Sequence, residues 1–469
     1  MEQLSGLDAS FLYMETPHMH LHVAMCAVLD ASAIPEDARF EAIRGYVAER
    51  IHLLAPFRRR LVEVPFHLDH PYWLDEPDVD LLHHVRRARV AAPGGMRELG
   101  ALVGRIASSP LARNRPLWEL WVLEGLPEGR VGLLAKLHHS AVDGATGAGL
   151  LVNLFSMSPE PKAPKPAAPR DPEPIPADVE LLKTAVASRL RQPRRYMDLA
   201  KTTATRIRDV ALLRRAPKPT TAGFTLSAPR TRFNGSIGTG RLAAFARVGL
   251  GELKAIKREV PGAKLNDVIL TLAAGAIRRY LLAHDDLPDE PLVVTVPIST
   301  GLGGRGNNHV SFMMVPLATQ MEDPRLRLQA VARATRSAKR EHEAIGGEML
   351  QSWAELAAPN TVSAASALYG RMRLADRHRP VHNLTISNVP GPPFPIYLAG
   401  ARLEAAYPMG PVLEGSGLNL TVMSYCGSVD FGFMAARNLM PDVAELAEEV
   451  VPALEELQAA FGRPTEARA

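Results

Sequence analysis

The sequence predicts an α/β protein made of two halves, each a mixed sheet packed with helices, joined by a proline-rich linker. Helical and strand-like runs alternate on both sides of residues 159–176, where eight of eighteen residues are proline. The 469 residues, 46% of them apolar, suffice for two or three domains with sizeable cores. We therefore divide the chain into an N-terminal half (1–157), a linker with a basic segment (158–220) and a C-terminal half (221–469).

Composition narrows the class of protein further. Charged residues make up 22% of the chain and the mean hydropathy is near zero, which disfavours a disordered chain and a polytopic membrane protein. The two cysteines, Cys26 and Cys426, provide neither a disulfide framework nor the spacing of a zinc site. The first residues lack the basic flank and apolar run of a secretory signal. We expect a cytoplasmic protein in a reducing compartment.

In the N-terminal half, apolar side chains at helical spacing predict amphipathic helices at residues 40–54 and 99–106. Two apolar runs, 117–123 and 131–139, are typical of strands, and Pro127, Glu128 and Gly129 between them predict a hairpin turn. A turn and a helix of small residues are expected after the second strand.

The linker region combines extended chain with a strong local charge. Eighteen residues in polyproline II conformation would reach roughly 55 Å. Residues 181–218 hold eleven Lys and Arg against two Asp, a charge of +9, so the other 431 residues sum to −5. Apolar residues at near-helical spacing, interrupted at Pro193, predict two basic amphipathic helices. Such helices either lie on an anionic lipid surface or pack on the protein body. Nucleic-acid binding is disfavoured because no nucleic-acid-binding motif accompanies the charge.

The C-terminal half repeats the mixture of elements. A helix is expected at 266–282, with Asn266 capping its first turn. Strands are expected at 292–298, 310–317, 382–387, 418–425 and 429–434, and further helices at 325–344 and 443–461. Mixed elements in both halves favour two layered α/β domains.

The residues with catalytic potential are His138, His139, Asp143 and Gly144, in the pattern HHxxxDG at the end of a predicted strand. A histidine titrates near neutrality, so it can accept a proton from a hydroxyl group and return it later. The aspartate, across a tight turn, can orient the loop or pair with a nearby base, and the glycine lets a long substrate approach the backbone closely. Two histidines, an acid and a glycine at these offsets favour a catalytic site over a simple strand end.

HHxxxDG is also the motif of acyltransferases with the chloramphenicol acetyltransferase-like fold. Over nearly its whole length, the sequence resembles the bacterial wax ester synthase/diacylglycerol acyltransferase family. The further segments that carry this resemblance are LSGLDASF at 4–11, PLWE at 116–119, ND at 266–267, SNVPGP at 387–392, GLNLT at 417–421 and SY at 424–425.

The resemblance implies an active-site channel between two chloramphenicol acetyltransferase-like halves. It implies transfer of a long-chain acyl group from acyl-coenzyme A to diacylglycerol or a long-chain fatty alcohol, with His139 as general base and no cofactor beyond these substrates. His138 and Asp143 would shape the loop and Gly144 would admit substrate. The resemblance also implies substrate contacts at 266–267 (Asn266, Asp267) and at 388–391 (Asn388, Pro390, Gly391).

Several interpretations stay open from the sequence. Trp118 is either a core residue or part of the channel lining. Asn266, near a helix N-terminus, is a candidate donor to the oxyanion of the tetrahedral intermediate. His18, His20 and His22 alternate as in a metal-binding strand, but with no acid or cysteine partner identified nearby we expect them to be structural. We expect no metal.

Two functional alternatives compete with the acyl-coenzyme A reaction. One is a condensation-type acyltransferase that takes its acyl group from a carrier protein, which accounts for HHxxxDG but not for PLW or NVPGP. The other is a non-catalytic protein of lipid surfaces on a decayed acyltransferase scaffold, which the intact motif disfavours. If the acyl-coenzyme A reaction is correct, we expect the protein to associate peripherally with the inner face of the membrane or with lipid inclusions, because both acceptors, diacylglycerol and fatty alcohol, dissolve in lipid.

Overall fold

The fold is built on two six-stranded mixed sheets and one small three-stranded sheet. The computed structural model describes residues 1–142, 153–160, 162–165, 173–188, 227–299, 310–345, 354–355 and 358–461, with the single positions 197, 201 and 205. The strands are β1 (Glu2–Gln3), β2 (His22–Asp30), β3 (Arg59–Val62), β4 (Tyr72–Asp75), β5 (Val85–Arg89), β6 (Trp118–Glu124), β7 (Arg130–His138), β8 (Arg241–Gly249), β9 (Val293–Ser299), β10 (Val310–Pro316), β11 (Leu384–Pro390), β12 (Tyr397–Leu398), β13 (Ala401–Met409), β14 (Leu418–Tyr425) and β15 (Ser428–Ala436). The helices are α1 (Gly6–Tyr13), α2 (Arg39–Arg50), α3 (Leu81–His84), α4 (Met96–Ala107), α5 (Leu250–Glu259), α6 (Leu265–Ala283), α7 (Pro324–Ile345), α8 (Pro359–Arg371), α9 (Val443–Glu448) and α10 (Val450–Ala460).

The strands are ordered β12-β13-β2-β7-β6-β5 in one large sheet, here called the N-sheet, and β10-β9-β11-β14-β15-β8 in the other, the C-sheet. The small sheet has the order β1-β4-β3. Antiparallel pairs dominate, with parallel pairing of β5 to β6 and of β11 to both β9 and β14. The α/β class with a mixed sheet in each half is therefore confirmed.

Local periodicity predicted most of these elements correctly. The helices expected at 40–54 and 99–106 are α2 and α4, and the expected hairpin is the antiparallel pair β6 and β7. Within its five-residue loop, the Arg130 N–H donates to the Pro127 carbonyl, and the two central residues of this turn, Glu128 (59°) and Gly129 (73°), have positive φ as in a type I′ turn. The single helix expected at 443–461 is instead two helices, α9 and α10, which meet at Glu449.

The N-sheet is completed by chain from the C-terminal half. Strand β13 pairs antiparallel with β2, from Arg402 opposite Asp30 to Met409 opposite Ala24, and β12 extends the same edge. Residues 397–409, which the sequence division places in the C-terminal half, thus belong to the N-terminal sheet. The linker therefore does not separate the two sheets along the chain.

Helix α4 of the N-terminal half packs directly on β8, an edge strand of the C-sheet. Two glycines make this approach possible: a Cβ atom at Gly100 would lie 2.2 Å from the Ala243 carbonyl oxygen, and one at Gly104 would lie 2.5 Å from that of Arg241. No side chain fits at such distances. The same interface buries Leu99, Leu102 and Val103 of α4 in a core that both sheets share.

A buried carboxylate also links the two sheets. Asp430 of β15 accepts a hydrogen bond from the Ala406 N–H of β13 at 2.8 Å, and its second oxygen lies 3.0 Å from Arg247 Nε. Burial raises the pKa of Asp430 to about 6, although Ala406 and Arg247 act in the opposite direction.

The described parts of the linker and basic segment contact the N-terminal half. The Lys162 carbonyl accepts a hydrogen bond from Arg50 of α2 at 3.3 Å. Residues 178–188 form a helix that packs through Leu181 and Ala185 onto Val64. Most of the predicted basic helices, and much of the proline-rich run, lie outside the described residues.

Candidate active site

The two histidines of HHxxxDG stand at the end of β7, beside the start of β2. His138 is opposite His22 in the antiparallel pair, and the His139 N–H donates to the Leu21 carbonyl at 2.9 Å. Strand geometry directs the side chains of successive residues to opposite faces, so the two imidazoles have different surroundings. The sequence prediction that this motif closes a hairpin strand is correct. Asp143 and Gly144 lie outside the described residues.

His138 is fully buried, with Ser140 against one ring nitrogen and the Glu15 carboxylate near the other. Its Nδ1 accepts the Ser140 backbone N–H at 3.1 Å and lies 2.7 Å from Ser140 Oγ. Its Nε2 lies 3.2 Å from Glu15 Oε1. Because Nδ1 accepts a backbone donor, Nε2 is the ring nitrogen that carries a proton, and it faces a carboxylate. This ring is fixed in position and orientation.

Glu15 is the centre of a polar cluster that the sequence analysis missed. Its carboxylate accepts the Leu21 N–H at 2.9 Å and pairs with Arg113 at 2.8 Å, and it lies 3.8 Å from His22 Nε2. Burial favours its neutral form, but contacts with His138 and Arg113 outweigh this and lower the pKa of Glu15 well below its ordinary value. Glu15 therefore remains ionised across the physiological range.

The expectation that His18, His20 and His22 lack an acid partner is wrong. A tight turn, in which Thr16 and Met19 exchange backbone hydrogen bonds, folds Glu15 back alongside Leu21 and His22. Burial lowers the pKa of His22 well below 6.5, and the positive charge of Lys136 adds to the effect. A neutral His22 beside His138 supports the structural role that was predicted for it.

His139 has a more open environment than His138. Its ring is only half-buried and stacks on Phe11 of α1, with centroids 4.1 Å apart and planes inclined by 14°. Phe11 belongs to the LSGLDASF segment, whose Ser5 caps α1 by accepting the Asp8 N–H at 3.1 Å. The first motif of the chain therefore supplies one wall of the His139 site. An accessible imidazole at neutral pH can exchange a proton with a substrate.

The ND segment departs from its predicted role as a cap. Helix α6 begins at Leu265 with Lys264 as N-cap, so Asn266 is the second helical residue and not the cap. The capping carboxylate is that of Asp267, which accepts the Lys264 N–H at 2.8 Å and the Thr335 hydroxyl at 2.7 Å. Asp267 is buried and satisfied within the fold. Its observed contacts are structural.

Asn266 instead faces the SNVPGP segment. The side-chain amides of Asn266 and Asn388 are 3.3 Å apart, which brings two sequence-predicted site residues together. Strand β11 ends at Pro390, and Gly391 then donates its N–H to the Ser424 carbonyl at 3.0 Å. A Cβ at Gly391 would lie 2.4 Å from that oxygen, so the close approach requires glycine.

Trp118 lies in the core of the N-terminal half. Its indole is sandwiched between Phe57, at 4.2 Å between centroids, and His84, at 4.4 Å. Its Nε1–H donates to the Phe57 carbonyl at 2.9 Å, and the side chain is 2% exposed. These contacts favour the core-packing interpretation of Trp118 over the channel-lining one.

One group of potential metal ligands occurs in the described residues, away from HHxxxDG. His284 Nε2 lies 3.3 Å from Asp442 and 3.6 Å from Glu445. Tyr280 and Arg232 already donate to the two oxygens of Asp442. These contacts account for the group as an ion-pair cluster at the end of α6.

A two-sheet α/β fold with a fixed first histidine and an accessible second histidine at a strand end defines an HHxxxDG acyltransferase. Residues 4–269 match the wax ester synthase/diacylglycerol acyltransferase catalytic domain, and residues 306–458 match the WS/DGAT C-terminal domain. The chain therefore belongs to the wax ester synthase/diacylglycerol acyltransferase family, and it is an acyltransferase.

Individual relatives agree with this assignment. A candidate diacylglycerol O-acyltransferase of Mycobacterium tuberculosis (strain ATCC 25618 / H37Rv) is 36% identical over 460 residues, covering 97% of this chain and 90% of the relative. The structure of the wax ester synthase/diacylglycerol acyltransferase from Marinobacter aquaeolei VT8 has a TM-score of 0.69 at 25% identity, covering 98% of this chain and 100% of that chain. The first condensation domain of the calcium-dependent antibiotic synthetase shares the fold, with a TM-score of 0.55 at 16% identity. The match covers 98% of this chain and 96% of that chain.

None of the helices in the described parts of the chain combines the length and the apolar character needed to cross a bilayer.

Proposed function

We propose that the protein transfers a long-chain fatty acyl group from acyl-coenzyme A to diacylglycerol, to a long-chain fatty alcohol, or to both. The products would be triacylglycerol and wax esters. Family membership supports the reaction class, and the names of the mycobacterial and marine relatives support these two acceptors. The substrates would meet at His139 in a channel between the two halves.

His139 would act as the general base. It removes the proton from the acceptor hydroxyl while the oxygen attacks the thioester carbonyl, and a tetrahedral intermediate forms. The carbon–sulfur bond then breaks, and the imidazolium returns the proton to the departing thiolate, so no acyl-enzyme is needed. A positioned base of this kind contributes about 10²–10⁴-fold, and alignment of two substrates supplies much of the rest.

The contrast between the two histidines carries this proposal. His138 is fully buried and engaged by Ser140 and Glu15, whereas His139 is half-buried against Phe11. A base that meets a lipid hydroxyl must be reachable from outside the core, and that requirement favours His139. We assign His138 to holding the end of β7 in place.

The other sequence-predicted residues take supporting roles in the proposal. Asp143 would orient the loop that follows β7, and Gly144 would admit the substrate. The adjacent amides of Asn266 and Asn388 are the candidate donors to the developing oxyanion, because both are polar and neither is buried in the core. Pro390 and Gly391 would hold Asn388 in position through the rigid turn after β11.

The test is ester formation by the His139→Ala variant. Radiolabelled palmitoyl-coenzyme A is offered with hexadecanol or dioleoylglycerol, and also replaced by a palmitoyl carrier protein as donor. We expect a loss of about 10²–10⁴-fold with unchanged thermal unfolding. His52→Ala, a histidine substitution away from the motif, is the control. Substantial residual turnover in His139→Ala would refute the assigned role, and preference for the carrier protein would favour the condensation-type alternative.

We further propose that the protein acts at a lipid surface. Beside the helix at 178–188, Phe66 exposes 76% of its side chain, in a backbone conformation of φ 58° that is unusual for a bulky residue. Val179 and Val186 on that helix are also exposed, and the segment of charge +9 begins within it. Apolar side chains next to basic charge suit an anionic bilayer or lipid inclusion.

Vesicle flotation tests this surface. Wild-type protein should float with vesicles that contain phosphatidylglycerol, and the Phe66→Ser/Val186→Ser variant should float less. Leu326→Ser, at an exposed leucine on α7, is the matched control. Absence of binding by the wild type, even to anionic vesicles, would remove the proposal.

A further inference from the structure

A cavity of about 460 Å³ lies between helix α4 of the N-terminal half and strand β8 of the C-sheet. Its apolar lining includes Ala101 and Leu102 of α4 and Leu242 of β8. Its size is within the range of small-molecule sites, and these apolar residues can accept a flat ring. Neither the acyl-transfer mechanism nor the motifs above use it.

The wall of the cavity is strongly basic. Four arginines, Arg89, Arg105, Arg241 and Arg437, face one acid, Glu98. The Glu98 carboxylate is already used as a helix cap, since it accepts the Gly95 N–H at 2.9 Å. Four guanidinium groups against one carboxylate leave a net charge of +3 around the cavity.

These charges are poorly neutralised by the rest of the protein. Arg105 and Arg437 are exposed and form no ion pair with any residue that the structure describes, while Arg89 has only Glu36, at 3.7 Å. Such a set of cations repels itself until an anion binds, and guanidinium groups match phosphate oxygens in geometry.

Arg241 fixes the inner end of the cavity. Its Nη1 donates to the carbonyls of Gly238 at 2.6 Å and Gly240 at 3.1 Å, and its Nη2 donates to the His18 carbonyl. Its backbone N–H donates to Ser108 Oγ at 2.8 Å, which joins β8 to the end of α4. Burial lowers the pKa of Arg241 to about 10, so it remains a cation at neutral pH.

Hydrogen bonds join the inner end of the cavity to the catalytic strand. The Ser109 carbonyl, next to the lining residue Ser108, accepts a hydrogen bond from Lys136 Nζ at 2.7 Å. Lys136 of β7 precedes His139 by three residues, which corresponds to about 10 Å of extended chain. On the other side, His18 is three residues from Leu21, whose carbonyl binds the His139 N–H.

We infer that this cavity binds the phosphate groups of the coenzyme A moiety of the acyl donor. The adenine ring rests on the apolar residues of the lining, and the exposed Arg105 and Arg437 contact the phosphates. The inference rests on the proposed function, since it assigns a place to the donor of that reaction.

A phosphate on a lipid headgroup would satisfy the same arginines. Coenzyme A is favoured because the cavity is a recess between two halves of the protein, with the inner arginine buried and the catalytic strand beyond it. A headgroup in a bilayer would instead require the rim to lie flat on a surface. The two sources are separated by experiment.

The experiment measures binding of coenzyme A and of adenosine 3′,5′-bisphosphate to the full chain by titration calorimetry. The Arg105→Ala/Arg437→Ala variant leaves the buried Arg241 intact, so its fold should be preserved. Each lost charge-assisted contact should weaken coenzyme A binding about ten-fold. The KM for palmitoyl-coenzyme A should rise by a similar factor with kcat unchanged, and added salt should weaken wild-type binding most.

Arg258→Ala/Arg333→Ala removes two exposed arginines from α5 and α7 and is the matched control for charge. The inference is overturned if the Arg105→Ala/Arg437→Ala variant binds coenzyme A with an affinity within two-fold of that of this control. Loss of binding to phosphatidylglycerol vesicles, with coenzyme A binding retained, would also overturn it and favour a lipid headgroup. Arginine-dependent coenzyme A binding in a wild type that forms no ester from palmitoyl-coenzyme A would support the inference and contradict the proposed function.

Discussion

Replacing Glu15 by Gln should impair catalysis although Glu15 does not touch His139. The substitution keeps the side-chain length and an oxygen that can accept the Leu21 N–H, but it removes the negative charge that faces His138 and Arg113. His138 Nε2 then faces a neutral amide oxygen in place of a carboxylate oxygen. Because Leu21 binds the His139 backbone, movement of this cluster also displaces the proposed base.

The size of the effect can be worked from the contacts. A hydrogen bond to a charged group contributes about 1.5–3 kcal/mol and one to a neutral group about 0.5–1.5 kcal/mol, so removing the charge that faces the fully buried His138 should cost about 1–1.5 kcal/mol. Arg113 is partly exposed and can be rehydrated, so its lost pair should cost less than about 1 kcal/mol. We expect the free energy of unfolding to fall by about 1–2.5 kcal/mol in total. A shift of the base by a fraction of an ångström should lower kcat by roughly 10–100-fold.

The pH dependence follows from the lowered pKa of Glu15. A carboxylate with a lowered pKa stabilises the fold above its ordinary pKa, and this contribution is lost as pH falls through the lowered value. The difference in unfolding free energy between wild type and Glu15→Gln should therefore stay constant from pH 6 to pH 9. It should shrink only under strongly acidic conditions.

The assays are chemical unfolding and steady-state acyl transfer. Glu63→Gln is the matched control, because Glu63 lies 3.6 Å from Arg113 but does not contact His138. We expect the control to resemble wild type in both assays. A Glu15→Gln variant with wild-type kcat and stability would show that the buried carboxylate does not position the motif.

Three further predictions concern stability. Burial raises the pKa of Asp430 to about 6, so the free energy of unfolding should fall by ~3 kcal/mol as pH rises from about 4 to above 6. The Asp430→Asn variant should lack this pH dependence, and urea titrations at several pH values measure it. Gly104→Ala should lower the free energy of unfolding by about 1–3 kcal/mol, because its Cβ clashes with β8. Gly45→Ala, with open space around it, should raise the free energy of unfolding by about 0.5–1 kcal/mol. Equal shifts in melting temperature for the two variants would contradict this contrast. Trp118→Ala should cost about 3–5 kcal/mol in unfolding free energy as the sandwiched indole is lost, and a cost below 1 kcal/mol would argue for a channel-lining residue.

Local patterns predicted the elements well, because helix and strand periodicities are properties of short segments. Helices α2 and α4 and the hairpin β6–β7 were predictable on this basis. The N-cap of α6 was misassigned because Asn266 is a good capping residue by type, whereas Asp267 satisfies the helix end from inside its first turn. Residue preference alone does not distinguish these two positions.

The remaining features depend on contacts between distant parts of the chain. The pairing of β13 with β2 joins residues more than 370 positions apart, and no local pattern specifies it. In the candidate site, HHxxxDG was found from sequence, but the stacking of Phe11 on His139 and the arginines around the cavity were not. Glu15 was near enough in sequence to be noticed, since it precedes His18 by three residues, with Thr16 and Pro17 as turn residues between them.

Strand β13 is synthesised long after β2, the strand with which it pairs, and this delay affects folding during synthesis. Some 260 residues separate the end of β7 from the start of β13, so a ribosome working at ~5–20 residues per second needs roughly 13–50 s to deliver the missing strand. During that interval the edge of β2 has no partner, and an unpaired strand edge is prone to pairing with other chains. An N-terminal fragment expressed by itself would keep that edge open indefinitely, so the two halves should be obtained soluble only by co-expression or as one polypeptide.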